Sequence, residues 1–320
     1  MKKLILKLII IISLILVSCA AILLLTPLDE SHYLRELPIK HELIKKTDSP
    51  KVILVGGSGL AFGFDSMQLK EKTGLNVVNM ALHAGFGLQY MLEEVKPYIY
   101  SGDIVVIISE YDYFFNPVLY GGTALNEMLF FFPRGAAFLS SKNCLSILQN
   151  FPEMLQRCYS TTYDSVIHKK IIKINKNVCI YCKDSFNEYG DATRHLKLPL
   201  PEKFNDKYGI VKVNKYSLDA VNILNNFYSF IQKKNAAVYF IYPSIPDYVY
   251  NKNKKNIKSL HTYIKKRLKI RVLGEPDNFI YPRHCFYDTY YHMNHKGRLF
   301  RTERVIELLK AEILKTAQKE

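Results

Sequence analysis

The sequence lacks internal repeats and any nucleic-acid-binding motif. The first absence excludes solenoids and propellers, which are built from repeated units. The second absence bears on the net charge of the chain. The sequence has 44 lysine and arginine residues and 29 aspartate and glutamate residues, which gives a formal net charge of +15. Without such a motif we expect no nucleic-acid partner. Two explanations of the charge stay open: a solvated lysine surface, or attraction to anionic phospholipid head groups or an acidic cell-envelope polymer.

Cysteine is scarce, with six residues in a chain of 320. Cys179 and Cys182 form one Cys-x-x-Cys pair, but the second pair typical of a structural zinc site is missing. We therefore expect no metal site. In an oxidising compartment the better prediction is a disulfide, either between these two residues or from them to Cys144 and Cys158. Because an odd number of cysteines lies beyond residue 28, at least one thiol is left unpaired.

Charged residues are absent between residues 8 and 26, a run close in length to the ~20 apolar residues that cross a bilayer. Lys2, Lys3 and Lys7 precede it, and Asp29 and Glu30 follow it. Positive charge stays on the cytoplasmic side, so this bias places the start of the chain inside and the rest outside. The sequence predicts a single-pass anchor or signal over 1–28 in the cytoplasmic membrane, with an extracytoplasmic C-terminal domain.

Two other interpretations of this segment stay open. A signal peptide would be cleaved, although its apolar core is usually shorter and ends at small residues. Residues 16–19, Leu-Val-Ser-Cys, resemble a lipoprotein box in which Cys19 is the lipidated residue. The chain stays apolar from Ala20 to Leu25, which favours the uncleaved anchor. All three interpretations place the domain outside the cytoplasm at a membrane.

Strands and helices alternate through most of the remaining chain. Hydrophobic residues make up 48% of the sequence, which excludes wholesale disorder. Apolar runs predict strands over 51–57, 76–80, 103–108, 236–241 and 270–273, and helical spacing predicts helices over 66–72, 88–100, 218–232, 256–267 and 296–317. Right-handed crossovers between such strands give an α/β fold, with three α/β/α layers around a parallel sheet.

Two regions depart from this alternation. Residues 29–50 are polar and punctuated by proline, which is typical of a stalk. Residues 114–213 contain many Tyr, Asn and Lys residues without a regular period, so we predict an insertion or lid that is helical in part. The α/β domain then consists of 51–113 and 214–320.

Two short segments carry the candidate chemistry. A predicted buried strand ends in Gly56-Gly57-Ser58, and Asp288 and His292 lie one helical turn apart before the last helix. Ligands bind outside the carboxyl ends of the strands in open α/β sheets, so the fold can bring these residues together. A hydroxyl, an imidazole that takes its proton and a carboxylate that orients the imidazole are what nucleophilic hydrolysis needs.

Each residue also has a plainer explanation. The glycines before Ser58 can serve only a tight turn, and a histidine near a helix start is often a polar surface residue. For His292 the flanking aromatic residues, 286–287 and 290–291, favour the catalytic role, because they partly exclude water from the imidazole. His83 and His284 are weaker candidates for the base.

The chain order Ser58, Asp288, His292, with the last two adjacent, resembles the SGNH (GDSL-like) esterase and acyltransferase superfamily. The resemblance implies a flavodoxin-like sheet in which Ser58 is the nucleophile, His292 the general base and Asp288 the residue that orients it. It also implies that the backbone N–H groups of Ser58 and Gly85 bind the oxyanion, with Tyr111 at the position of a third donor. No metal or organic cofactor is implied.

The sequence departs from that superfamily at three positions. Gly57 replaces the aspartate of its first block, and Tyr111 stands where an asparagine side chain normally completes the oxyanion hole. Three residues, rather than two, separate Asp288 from His292, although one helical turn still permits contact. Asn294 and Gly297 fit the family's entry to the last helix.

We expect a membrane-anchored serine esterase or O-acyltransferase acting on acyl esters of an envelope glycan or lipid. Anchored SGNH proteins of alginate acetylation and teichoic-acid D-alanylation are similar in layout, which favours acyl transfer with a membrane acyl-donor protein as a further partner. The alternative is a catalytically inactive protein of the same fold that binds an anionic polymer or an assembly partner. Tyr111 and the altered acid–histidine spacing favour that alternative.

Overall fold

The computed structural model describes residues 1–115, 117–167, 179–201, 204 and 217–317. The helices and strands, in chain order, are α1 (Lys2–Leu25), α2 (Glu36–Lys46), β1 (Lys51–Gly56), α3 (Ser58–Ala61), α4 (Ser66–Thr73), β2 (Asn76–Asn79), α5 (Leu88–Val95), β3 (Ile104–Ile108), α6 (Thr123–Phe131), α7 (Ser141–Ile167), α8 (Leu218–Lys233), β4 (Ala237–Ile241), β5 (Ile245–Pro246), α9 (Asp247–Arg267), β6 (Arg271–Val272), β7 (Ile280–Tyr281) and α10 (His295–Ala317).

Five strands form one parallel sheet in the order β2-β1-β3-β4-β6. β1 lies between β2 and β3, and all six of its residues are buried. Continuously apolar strands of this kind are typical of buried parallel sheets. A separate pair, β5 and β7, is also parallel. The prediction of an α/β protein with a parallel sheet is therefore confirmed.

Each predicted strand is present, and the predicted helices differ mainly in length. α5 ends at Val95, because Pro97 lacks the N–H that a continuing helix needs, and a tighter turn follows. α9 begins at Asp247 instead of residue 256. Its buried residues Val249, Tyr250 and Ile257 have helical spacing, but lysine and asparagine between them obscure the pattern in the sequence.

Residues 29–50 differ from the expected stalk. α2 buries Leu37 and Ile44, two turns apart, in the hydrophobic core. Lys40, one turn after Leu37, is fully buried, and its ammonium group donates to the carbonyl oxygen of Asn79 at 2.8 Å. Apolar side chains at helical spacing therefore hold this segment against the end of β2, as part of the folded domain.

The described part of the expected insertion covers 114–115, 117–167, 179–201 and 204, and it contains α6 and α7. The remaining residues of 114–213 lie outside the described residues, as do 214–216. Asp191 attaches 179–201 to the sheet. Its carboxylate accepts from the Ser66 hydroxyl at 2.6 Å and the Asn79 amide at 2.8 Å, and it pairs with Arg298 at 3.3 Å. These buried bonds hold the segment beside the carboxyl end of β2.

The predicted N-terminal helix is present as α1, and none of its residues is buried. With 24 residues it is about 36 Å long at 1.5 Å per residue. Its most apolar stretch has a mean hydropathy of 3.2. The helix is therefore long and apolar enough to cross a membrane, whose hydrocarbon core is about 30 Å thick.

The cysteines differ from the expected disulfide, because all six are free thiols in the structure. The Cys182 thiol is buried and contacts the carbonyl oxygen of Cys179 at 3.1 Å. Arg194 donates to the same sulfur at 3.1 Å. Cys182 therefore belongs to a turn that is held by polar contacts, in which Cys179 takes part through its backbone carbonyl oxygen.

Candidate functional site

Ser58 lies at the carboxyl end of β1, where the sequence predicts it. The strand ends at Gly56, Gly57 precedes the helix, and α3 begins at Ser58 itself. A Cβ atom on Gly57 would lie 2.3 Å from Oε1 of Glu110 and 2.8 Å from Cα of Ala84. Only glycine fits this close approach, and the turn that it permits brings Ser58 to the edge of the sheet.

Two side chains fix the backbone of Gly59, the residue after Ser58, one at its N–H and one at its carbonyl oxygen. Glu110, directly after β3, accepts the Gly59 N–H at 3.3 Å, and Arg301 of α10 donates to the Gly59 carbonyl oxygen at 2.7 Å. Both side chains are buried. Their hydrogen bonds hold the backbone of Gly59, next to Ser58, in one geometry.

Asp288 and His292 form a hydrogen-bonded pair despite the extra residue between them. Nδ1 of His292 lies 2.9 Å from Oδ1 of Asp288. A carboxylate on Nδ1 fixes the tautomer and leaves Nε2 as the proton acceptor. Burial opposes ionisation of Asp288, but the hydrogen bonds and charge of His292 and a hydrogen bond from Tyr181 outweigh it, so the pKa of Asp288 is lowered.

Two aromatic side chains hold this pair in place. The Phe62 ring stacks on the His292 imidazole, with centroids 4.3 Å apart and planes inclined by 11°. The Tyr181 hydroxyl donates to Oδ2 of Asp288 and lies 3.2 Å from Nδ1 of His292. Tyr181 belongs to the segment that Asp191 attaches, so the insertion contributes directly to the site.

Ser58 and His292 line one cavity of about 380 Å³. The lining residues are His32, Tyr33, Leu34, Ser58, His83, Ala124, Glu127, Tyr181 and His292. The Ser58 hydroxyl makes no hydrogen bond within the described part of the chain. Catalytic hydrogen bonds often tighten only once substrate is bound. The cavity thus brings together a serine hydroxyl and a histidine paired with a carboxylate at the carboxyl end of the sheet.

Two predicted oxyanion donors do not have the expected geometry. The Gly85 N–H is taken up by Nδ1 of His83 at 2.9 Å, so it is not free for an oxyanion. Tyr111 is buried, stacks on Tyr242 and does not line the cavity. Its hydroxyl has no partner among the described residues. The backbone turns at Glu110 and sends this side chain into the core, which corrects its predicted position.

His83 lines the same cavity as Ser58 and His292. Burial lowers the pKa of His83 to about 4, and the nearby charge of His292 adds to this effect. The imidazole is therefore neutral at pH 7. Because Nδ1 accepts the Gly85 N–H, the ring proton is on Nε2. His83 thus combines a fixed tautomer with a place in the cavity wall.

The other histidines near the site have different roles. His284 is exposed and does not line the cavity. His195 is buried, its Nε2 bonds to the Met293 carbonyl oxygen at 2.9 Å, and burial lowers its pKa to about 4. It packs 4.8 Å from Phe62, centroid to centroid. Of the candidates for the base, only His292 is paired with a carboxylate inside the cavity.

The sequence alone did not reveal the contacts of Tyr181 and Phe62 with the acid–histidine pair, or the bond between Nδ1 of His83 and the Gly85 N–H. Phe62 follows Ser58 by one helical turn, a spacing that places both residues on the same side of a helix. The sequence signal for His83 is weaker, since a histidine two residues before a glycine only indicates that its ring can accept the glycine N–H. Tyr181 stands inside the Cys-x-x-Cys pair, and no local pattern links it to Asp288, 107 residues later.

Glu110 gives the first testable prediction. Burial raises its pKa to about 7, hydrogen bonds from its own backbone and Gly59 oppose this rise, and Asp112 adds to it. An acid whose folded pKa is raised contributes stability at low pH, which is lost as pH rises toward the folded value. We expect the wild type to lose about 3 kcal/mol from this group between pH 4.5 and pH 8.

Glu110→Gln should remove that slope, because the amide oxygen still accepts the Gly59 N–H but does not ionise. Chemical denaturation at several pH values measures the difference between the two proteins. Glu307→Gln, on an exposed helix face, is the control. Parallel stability curves for wild type and Glu110→Gln would contradict the prediction.

Within the described residues, no three His, Cys, Asp or Glu side chains lie close enough together to hold a metal ion. A scan against models of known protein families gives no match for this chain, and no curated protein matches it significantly.

Proposed function

We propose that the chain is a membrane-anchored serine esterase or O-acyltransferase of the SGNH type, with its domain outside the cytoplasm. The strand order β2-β1-β3-β4-β6 supports the flavodoxin-like form of this fold, whose order is 2-1-3-4-5. α4 contacts α10, and α5 contacts α8. These two helix pairs support three layers, with one pair on each face of the sheet.

One observation carries the catalytic proposal: Ser58 and an Asp288-oriented His292 line the same cavity at the carboxyl end of β1. In this mechanism the Ser58 oxygen attacks the ester carbonyl carbon while Nε2 of His292 takes the hydroxyl proton. The tetrahedral intermediate then expels the alcohol, which receives that proton from His292. Water or an acceptor hydroxyl then attacks the carbonyl carbon of the acyl-enzyme while Nε2 of His292 takes its proton. The second tetrahedral intermediate expels the Ser58 oxygen, which receives that proton from His292.

The oxyanion of the intermediate needs at least two donors. The Ser58 N–H is one candidate, as in the predicted site. His83 replaces Gly85 and Tyr111 as the second, because its Nε2–H belongs to a neutral ring in the cavity wall. A neutral imidazole donates without losing its proton, which suits this role.

The position of the cavity favours a substrate at the membrane surface. His32, at its wall, follows the end of α1 by seven residues, which is at most about 25 Å of chain. The proposed substrates are acyl esters of an envelope glycan or lipid, with a membrane acyl-donor protein as a partner. The net charge of +15 supports an anionic acceptor.

The second candidate function is that of a non-catalytic binding protein. The absence of a hydrogen bond on the Ser58 hydroxyl, within the described residues, favours it. A fluorophosphonate probe separates the two, because it reacts only with an activated serine. Labelling of the wild type but not of Ser58→Ala supports the enzyme. A wild type that stays unlabelled would favour the binding protein.

His83 gives a prediction about the proposed oxyanion hole. In His83→Asn, the side-chain oxygen can still accept the Gly85 N–H, since asparagine favours such caps, but the Nε2–H is lost. We expect kcat to fall by about 10²–10³ with little change in KM, the usual effect of removing one oxyanion donor. Steady-state hydrolysis of a small acetyl ester measures both constants.

Tyr111→Phe is the matched control for this variant. It removes a hydroxyl that the superfamily pattern places in the oxyanion hole and the structure places in the core. We expect its kcat to stay within a few-fold of the wild type. A large loss in Tyr111→Phe with none in His83→Asn would restore Tyr111 as the donor and remove His83.

A further inference from the structure

The last turns of α7 carry an exposed apolar face. Tyr159, Tyr163, Val166 and Ile167 follow the spacing i, i+4, i+7 and i+8, which places them on one side of the helix. Their exposed fractions are 56%, 46%, 67% and 59%. The two tyrosine rings stack, with centroids 6.1 Å apart. A contiguous exposed face of this kind marks an interaction site more often than bare solvent.

α1 packs against the same end of α7. The partly covered residues of α1 are Cys19, Ile22 and Leu23, with Thr26 just beyond its end, so one face of its last two turns is shielded. α7 provides that contact, and the Thr26 and Thr162 hydroxyls lie 3.3 Å apart. Thr162 sits between Tyr159 and Val166. The apolar face of α7 is therefore level with the outer end of the helix that we propose crosses the membrane.

We propose that the last two turns of α7 enter the outer interface of the lipid bilayer beside α1. The proposal rests on the proposed membrane anchoring. Continuity with α1 identifies the bilayer as the occupant, because apolar side chains beside a spanning helix meet the same lipids. Tyrosine is enriched at this depth, where its ring lies among acyl chains and its hydroxyl among head groups. Valine and isoleucine extend the apolar contact.

This contact would fix the height of the candidate site above the membrane. α7 packs on α6, where the Asn126 amide donates to the Ile147 carbonyl oxygen at 2.9 Å. Arg157 of α7 pairs with Glu127 at 3.2 Å, and Glu127 lines the cavity. Helices α7 and α6 thus connect the proposed bilayer contact to the cavity that Ser58 lines. This arrangement suits an enzyme that takes its acyl ester from a membrane-bound molecule.

The sequence contains no tryptophan, so single-tryptophan variants report on one position each. The full chain carrying Tyr163→Trp is reconstituted into phosphatidylcholine vesicles whose acyl chains are brominated near the ester end or near the methyl end. We expect strong quenching of Tyr163→Trp by the first lipid and weak quenching by the second. Val166→Trp, on the same face, should behave alike, which guards against a local packing defect in one variant.

Two further variants separate this inference from the anchoring itself. Leu14→Trp, near the middle of α1, should be quenched most by bromine near the methyl end if α1 spans the bilayer. Phe300→Trp, an exposed position on α10, should not be quenched by either lipid. Quenching of Leu14→Trp without quenching at positions 163 and 166 would overturn the α7 proposal and leave the anchor intact. The same result is expected if a second protein, and not lipid, covers the apolar face of α7. An unquenched Leu14→Trp would overturn both.

Discussion

Ser58→Ala should lower the turnover of a small acetyl ester by about 10⁶-fold, the loss expected when the nucleophile of a serine triad is removed. The reason is chemical: without the hydroxyl no acyl-enzyme forms, and His292 has no proton to accept. The fold should be unaffected, because Ser58 is only partly buried and its side chain holds no hydrogen bond among the described residues.

The measurement is kcat on the full chain, together with a thermal unfolding curve. Ser160→Ala, on the exposed face of α7, is the matched control and should keep the wild-type rate. Since no single residue contributes independently within a triad, His292→Ala should be about as severe as Ser58→Ala. Ester turnover that survives Ser58→Ala unchanged would remove this serine from the mechanism.

The framework of the fold could be predicted because its signals are local. The strands β1, β3 and β4 are uninterrupted apolar runs, and the helices between them have a period of 3.6 residues. The end of β1 also has a local signal in the sequence, the consecutive glycines Gly56 and Gly57. The structure gives the reason for Gly57, since the close approach of Glu110 and Ala84 leaves no room for a side chain there. Ser58 follows directly from that turn, so its placement at the sheet edge was predictable.

Contacts between distant segments were not predictable in the same way. α2 contains Lys40, Lys45 and Lys46 and looks like an exposed segment, yet Lys40 is buried because its ammonium group reaches backbone oxygens. Tyr181 reaches Asp288 from a segment held by long-range bonds, among them those of Asp191 with Ser66 and Asn79. Such long-range polar bonds leave no periodic pattern in the sequence.

The proposed oxyanion hole shows that sequence position alone does not carry a residue's role from a family over to this chain. Tyr111 stands at the expected distance after β3, but its side chain is buried and stacks on Tyr242. His83 lies after β2, on the other side of β1, and its role depends on which ring nitrogen faces Gly85. A tautomer is set by three-dimensional contacts, so only the structure could suggest it.

The acid–histidine pair gives the second large prediction. Asp288→Asn should lower kcat by about 10⁴-fold, because an amide at this position favours the wrong tautomer of His292 and does not stabilise the imidazolium. The loss should be smaller than that of Ser58→Ala, since the carboxylate orients the base without taking the proton itself. Steady-state kinetics on the acetyl ester measure both variants in one assay.

Tyr181→Phe tests whether the insertion contributes to that pair. The phenyl ring keeps the packing of Tyr181 against Phe62 and Tyr33, which lie 5.5 Å and 5.9 Å from it, centroid to centroid. The hydrogen bond to Asp288 is lost, together with the contact of the hydroxyl with Nδ1 of His292. The carboxylate therefore gains a more ordinary pKa and orients His292 less firmly. We expect kcat to fall by about tenfold, which corresponds to about 1.4 kcal/mol and lies near the value of one hydrogen bond to a charged group.

The two substitutions act on one carboxylate, so their effects should not add. In the double variant Asp288→Asn with Tyr181→Phe, we expect a rate close to that of Asp288→Asn alone, because the tyrosine hydroxyl acts chiefly through the ionised acid. Full additivity would mean that Tyr181 contacts the substrate independently. A wild-type rate in Asp288→Asn would show that Asp288 does not orient His292, and Glu127, which also carries a carboxylate into the cavity wall, would become the next residue to test.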